Sequence, residues 1–232
     1  MGKFTRIRRE DPTISSQEPP RPPDAVSEEN ALPPILAARA QRGLPVWKQP
    51  YSLHWTSIRC WPGGAVDAWD DALSLGYWDE AQTWRELRVP GTTDPGDVVL
   101  HGYHPGLVCP GHHSLCWTLG VIHQDDPAHR RPAFVQIPGK PILFWPVLHR
   151  DQVGPETRVV PGVYGIDGHG SYGRRKVGGN SQLCQVTYDP ADIGRFIEMY
   201  KTCTPHQGSR FSLTLIEEPK GSPLLLPVDT RT

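Results

Sequence analysis

Six of the ten histidines fall between positions 101 and 129, in HGYHPGLVCPGHHSLCWTLGVIHQDDPAHRR, together with Cys109 and Cys116. Tetrahedral zinc takes about four N or S ligands, and the spacing Cys109-x-x-His112 turns two onto one loop. Cys116 and either His104 or His123 complete the set, so Cys109, His112, Cys116 and His123 are candidate ligands of a structural zinc ion. The alternative is a loop shaped by Pro and Gly whose histidines and cysteines carry no metal. A second constellation is the glycine-framed GSYGRRKVGG, where Arg174, Arg175 and Lys176 could cradle a phosphate or touch a nucleic-acid backbone. It matches neither a strand-to-helix GxGxxG nor GxxxxGK[ST], and three solvated basic side chains are the competing account. Asp67, Asp70 and Asp71 read as the wet face of a helix rather than as a metal site.

Thiol chemistry is the third candidate. SLCW sets Cys116 before Trp117 as in the papain nucleophile helix, with His169 and Asn180 as distant base and orienter. The run CWTLGVI reads as a strand, however, whereas an activated thiolate gains from a helix N-terminus. A permuted order fits better: PGDVVL, then His113 on a strand, then Cys184. Over roughly residues 95–185 this resembles the NlpC/P60 and lecithin-retinol acyltransferase families. The resemblance implies a thiol hydrolase or acyltransferase with Cys184 as nucleophile and His113 as base.

The elements that must position these residues are short. Residues 1–45 are polar and dense in proline, which predicts a disordered arm with one short helix at ILAARAQRG closed by Gly43. PPRPP at 19–23 suits a polyproline II docking motif. Six of the eight tryptophans lie between Trp47 and Trp84. The stretch 63–91 reads as two short helices, with Ala65, Trp69 and Leu73 on one face and Gly76 as a C-cap. Its tryptophans are either core or a partner surface on Trp69, Trp78 and Trp84. From 97 onward DVVLHGY, CWTLGVIH, PAFVQI and PILFWPVLH read as strands. Pro138, Pro141 and Pro146 in or beside them demand an edge or a bulge. GVYGIDGHGSYGRRKVGG is a mobile or tightly turned loop. A helix then starts at Asp189 as N-cap and Pro190 as first residue, with Ile193, Phe196, Ile197 and Tyr200 on one stripe. RFSLTLIEEP is a closing strand, and the tail from 219 to 232 is extended.

Composition bounds the rest. Of 232 residues 26 are Pro and 23 Gly, which excludes long helical bundles and coiled coils. Lys plus Arg number 24 against 25 for Asp plus Glu, so the chain is not a globally basic nucleic-acid binder. No run approaches the ~20 apolar residues of a membrane span, and MGKFTRIRREDPT lacks the apolar centre of a secretory signal. Gly2 lacks the Ser or Thr at position 6 that myristoylation requires, since Arg6 stands there. Five scattered cysteines are expected as free thiols in a reducing compartment, the cytoplasm or nucleus. The fold class expected is α+β: one compact domain of short mixed and antiparallel strands with a few helices over residues 46–218, preceded by the arm.

The order of a Pro-rich arm, SLGYWDEAQTW, the His/Cys region and the closing helix DPADIGRFIEMYK resembles spumaretroviral accessory proteins of the Bet and Bel type, over roughly residues 50–205. That resemblance implies a non-enzymatic host-interaction protein that binds host cytidine-deaminase restriction factors. No cofactor and no site residues follow from it.

Overall fold

The computed structural model describes residues 32–97, 105–172 and 176–231. In chain order its elements are helix α1 (Pro34–Gln41), strands β1 (His54–Cys60), β2 (Asp71–Trp78), β3 (Trp84–Thr92), β4 (Leu107–Val108), β5 (Gly111–Ile122), β6 (Arg131–Gln136), β7 (Ile142–Trp145), β8 (Val160–Gly162), β9 (Gly168–Gly170) and β10 (Gln185–Thr187), helix α2 (Pro190–Gln207), and strands β11 (Phe211–Glu218) and β12 (Val228–Asp229). The fold is α+β and mostly β, and the described residues fall in one unit, Ala31–Thr232. No helix among them is long and apolar enough to cross a membrane. The arm proposed for residues 1–45, as far as residue 31, lies outside the described residues, as do PPRPP and most of DVVLHGY.

Strands neighbour one another in the order β10-β9-β6-β5-β11-β1-β2-β3-β12, and β10 also pairs with the far end of β3. The sheet thus closes on itself through eight strands, which leaves those strands few open edges. β1 runs parallel to β11 and β9 to β10, while the other pairs are antiparallel. β4, β7 and β8 form a separate three-stranded sheet with β8 at one edge.

Helix α2 forms where its sequence predicts. Asp189 Oδ1 accepts the Ala191 N–H at 2.8 Å, and Pro190 fills the first position, where its missing N–H costs nothing. Its stripe of Ile193, Phe196, Ile197, Tyr200 and Cys203 packs on the main core. Trp55 is central there, with Trp117, Phe134 and Phe196 at ring-centre distances of 5.1, 5.3 and 5.1 Å in edge-on geometries. Strand alternation sends the other face of β1 and β2 into a second core, where Ile58, Ala72 and Trp78 meet Ile35, Leu36 and Ala38 of α1, together with Ile216 and Leu224.

Several expectations are corrected. Residues 71–92 are the hairpin β2–β3, not helices, with Asp79 Oδ1 accepting the Thr83 N–H at 2.8 Å in its turn. Gly76 is no C-cap: it lies opposite Glu86, and a Cβ there would sit 2.7 Å from Trp84 Cη2. The packed domain begins at α1 rather than at 46, because Ile35, Leu36 and Arg39 are buried. The tail is not merely extended, since Leu224 is buried and β12 pairs with β3. The glycine-rich segment contains β9, and Gly170 is required there because a Cβ would lie 2.8 Å from Pro190 Cα. Pro138, Pro141 and Pro146 all stand beside strands rather than in them, Pro141 directly before β7, whereas Pro90 and Pro132 lie inside β3 and β6 of the closed sheet. Pro138 precedes Gly139 at a turn, Pro146 follows the last residue of β7, and Pro161 lies on the edge strand β8. A bulge also occurs, where β5 shifts register against β11 around Leu115 at φ 46°.

Candidate functional site

The four candidate zinc ligands are strung along β5 rather than gathered. Cys109 precedes the strand and His123 follows it, with the 12 residues of β5 at roughly 3.3 Å each and Pro110 between them. His112 Nδ1 bonds Thr214 Oγ1 at 3.0 Å against the Trp47 ring. Cys116 donates its thiol proton to the His113 carbonyl at 3.3 Å. Among the described residues no three His, Cys, Asp or Glu side chains gather around one point as a metal would require. His104 lies outside those residues.

Each member of the thiol pair makes contacts of its own. His113 is buried on β5. The Leu143 N–H approaches its Nδ1 at 3.4 Å, so Nε2 carries the proton and donates to the Cys109 carbonyl at 3.0 Å. Both ring nitrogens are therefore occupied. Burial, reinforced by the Asp167 carboxylate, pushes the Cys184 thiol up to about 12. Burial likewise raises Cys60, Cys109 and Cys116 to about 11 and Cys203 to about 12, the opposite of nucleophile activation. His169 and Asn180 are buried and committed elsewhere, His169 Nδ1 to the Gly170 carbonyl and Asn180 Oδ1 to the Tyr172 N–H.

Of the basic triplet, Arg174 and Arg175 lie outside the described residues, and Lys176 sits 3.7 Å from Asp67. The aspartates are not a wet helix face. Asp67 accepts the Gly178 N–H, while Asp71 receives the Cys60 N–H at 2.7 Å and the Thr93 N–H at 2.7 Å. Burial and the neighbouring Asp94 charge raise Asp71 to about 7. Beside it the buried Arg59 donates to Asp94 at 2.6 Å and to the Val108 carbonyl at 3.1 Å. Arg150 holds Glu217 with Nε donating to Oε1 at 2.6 Å and Nη2 to Oε2 at 3.1 Å, and lies about 5 Å from the rings of Trp61 and Trp145. Each cation of this cluster faces a carboxylate, so the cluster ties loops together.

The tryptophan surface dissolves in part. Trp78 belongs to the second core, and Trp84 packs against it with Nε1 donating to Glu86 at 3.0 Å. Trp69 alone of the three lies by an exposed aromatic, Tyr188, at 5.6 Å.

Two assemblies arise that spacing did not announce. One is the stack of Arg131 on Tyr172, ringed by His123, His129 and His169. Its members come from positions 123 to 172 and meet only because β6 pairs with both β5 and β9. The other is the outer face of β7 and β8. Leu143 lies opposite Pro161, and Val159 and Val163, each two residues from Pro161, share its side. Leu143, Val159 and Val163 are 44%, 45% and 45% exposed, while Ile142 and Phe144 on the opposite face are buried. No family model, curated protein or solved structure matches the chain.

Proposed function

We propose that the chain acts by binding another protein rather than by catalysis. The observation that carries this is the apolar outer face of β7 and β8. A surface strand in an antiparallel sheet alternates apolar inside with polar outside. Here the alternation puts Leu143, Val159, Pro161 and Val163 on the solvent side, a contiguous patch of the kind that marks interaction surfaces. The raised thiols and the occupied nitrogens of His113 support the non-catalytic side of the reading. The partner is a host protein, and the resemblance to Bet and Bel proteins makes a host cytidine deaminase the first to test.

The experiment titrates the full chain against a purified host cytidine deaminase, beside the double variant Leu143→Asp, Val163→Asp. Both positions are exposed, so the fold is retained. Two lost apolar contacts at an interface centre, at roughly 1–2 kcal/mol each, weaken binding by about 30-fold or more. Equal affinity of the variant refutes this surface, and no binding by the parent chain refutes this partner.

A further inference from the structure

Arg131 opens β6 opposite Ile122, and its guanidinium carbon lies 3.5 Å from the centre of the Tyr172 ring. Nη1 donates to the Ser171 carbonyl at 3.3 Å. Nε and Nη2 are buried and meet no acceptor among the described residues. These two nitrogens share one edge of the guanidinium, the side-on fork whose parallel N–H groups match two oxygens of an oxyanion. The stack on Tyr172 and the bond to Ser171 fix the group in place, so the fork is oriented before any ligand arrives. No ion pair joins Arg131 to a carboxylate among the described residues, and the nearby Asp126 is engaged by His129 at 2.7 Å.

The surroundings narrow the ligand. His123 Nε2 bonds the Tyr172 hydroxyl at 2.7 Å, and the His123 and His129 rings stand 6.2 and 6.0 Å from the Tyr172 ring. Both histidines and Tyr172 are exposed, so they form the solvent side of the cluster. A carboxylate on the fork has no oxygen left over, whereas a phosphate still presents oxygens to the imidazole rim. We infer that Arg131 anchors a phosphate-binding site, with Tyr172 as its platform and His123 and His129 as its rim. The inference is independent of the face on β7 and β8.

The test uses the full chain, with inorganic phosphate added at constant low ionic strength, and follows the Arg131 Nε–H resonance by 15N NMR and the heat of binding by calorimetry. A saturable shift of that resonance is expected, with acetate at least tenfold weaker. Arg131→Lys keeps the charge but removes the fork, and lowers phosphate affinity at least tenfold. Tyr172→Leu, at an exposed position, lowers it at least threefold and decides the matter if the lysine variant fails to fold by circular dichroism. No saturable shift, undiminished affinity in a folded variant, or acetate binding as well as phosphate each overturns the site.

Discussion

His54 shows how far single contacts fix the chemistry of this chain. Its Nδ1 lies 3.1 Å from Nη1 of buried Arg39, and a guanidinium can only donate. Nδ1 is therefore bare, Nε2–H donates to the Trp47 carbonyl at 2.9 Å, and the ring is neutral. Burial, with the Arg39 charge second, holds its pKa well below the usual imidazole range. His169 behaves alike: burial lowers it to about 4 against 6.5, with the Arg131 and His123 charges acting in the same direction. For a base depressed in the folded state, the unfolded chain takes the proton first. The stabilisation is complete above pH 6.5 and is lost as pH falls towards 4, a difference of about 3 kcal/mol for His169. Asp71, about 7, and Asp167, about 6, carry the opposite sign, since their folded forms hold a proton that the unfolded chain releases near 4. The wild-type profile sums these opposed trends, so a single variant must separate them. His169→Gln shrinks the loss of stability between pH 6.5 and 4.5 by roughly 2–3 kcal/mol, measured by urea unfolding at each pH. Parallel profiles for the two proteins would refute the assignment.

At the scale of elements, legibility followed the purity of the local signal. Helix α2 was legible because Asp189, Pro190 and the stripe from Ile193 to Tyr200 all point one way. The hairpin β2–β3 does not read as strands in the sequence because both of its faces are covered. Leu73, Leu75 and Leu87 enter the main core while Ala72 and Trp78 enter the second, so the two-residue alternation is blurred. Ala65, Trp69 and Leu73 then fell by chance on a helical spacing. The Arg131–Tyr172 stack was invisible for a different reason, since only strand pairing across 41 positions creates it. Gly76 gives the hairpin its testable feature. The Trp84 ring occupies the place of its missing side chain, and Trp84 is itself tied to Glu86, which also binds Ser74 and Arg88. Gly76→Ala forces that ring aside and costs about 2–3 kcal/mol. Adding Trp84→Leu relieves the clash, so the double variant is less destabilised than the two single changes combined, as a thermodynamic cycle will register. Strict additivity would place the cost elsewhere.

At the scale of the whole molecule the question is where the folded unit starts. Sequence alone places the boundary at 45, because proline surrounds ILAARAQ and its apolar residues Ile35 and Leu36 are adjacent instead of spaced along a stripe. In the fold those two residues, 1% and 0% exposed, lie over Ile58, Ala72 and Trp78 on the outer side of the closed sheet. Arg39 reaches through the same contact to His54, to Thr56 at 3.3 Å and to the Pro45 carbonyl at 2.6 Å. The helix thus covers a face that would otherwise expose a second core, and the closed sheet with α2 does not constitute the domain without it. Burying Ile35 and Leu36 stabilises by about 1.5–3 kcal/mol each. A chain begun at Val46 is therefore less stable than one begun at Leu32 by about 3–6 kcal/mol, which for a domain of this size lowers the thermal midpoint by roughly 10 °C or more. Comparing the two truncations in one calorimetric series isolates α1 from everything before it. Equal midpoints would return the boundary to 45, while a drop confined to the shorter chain makes α1 part of the domain.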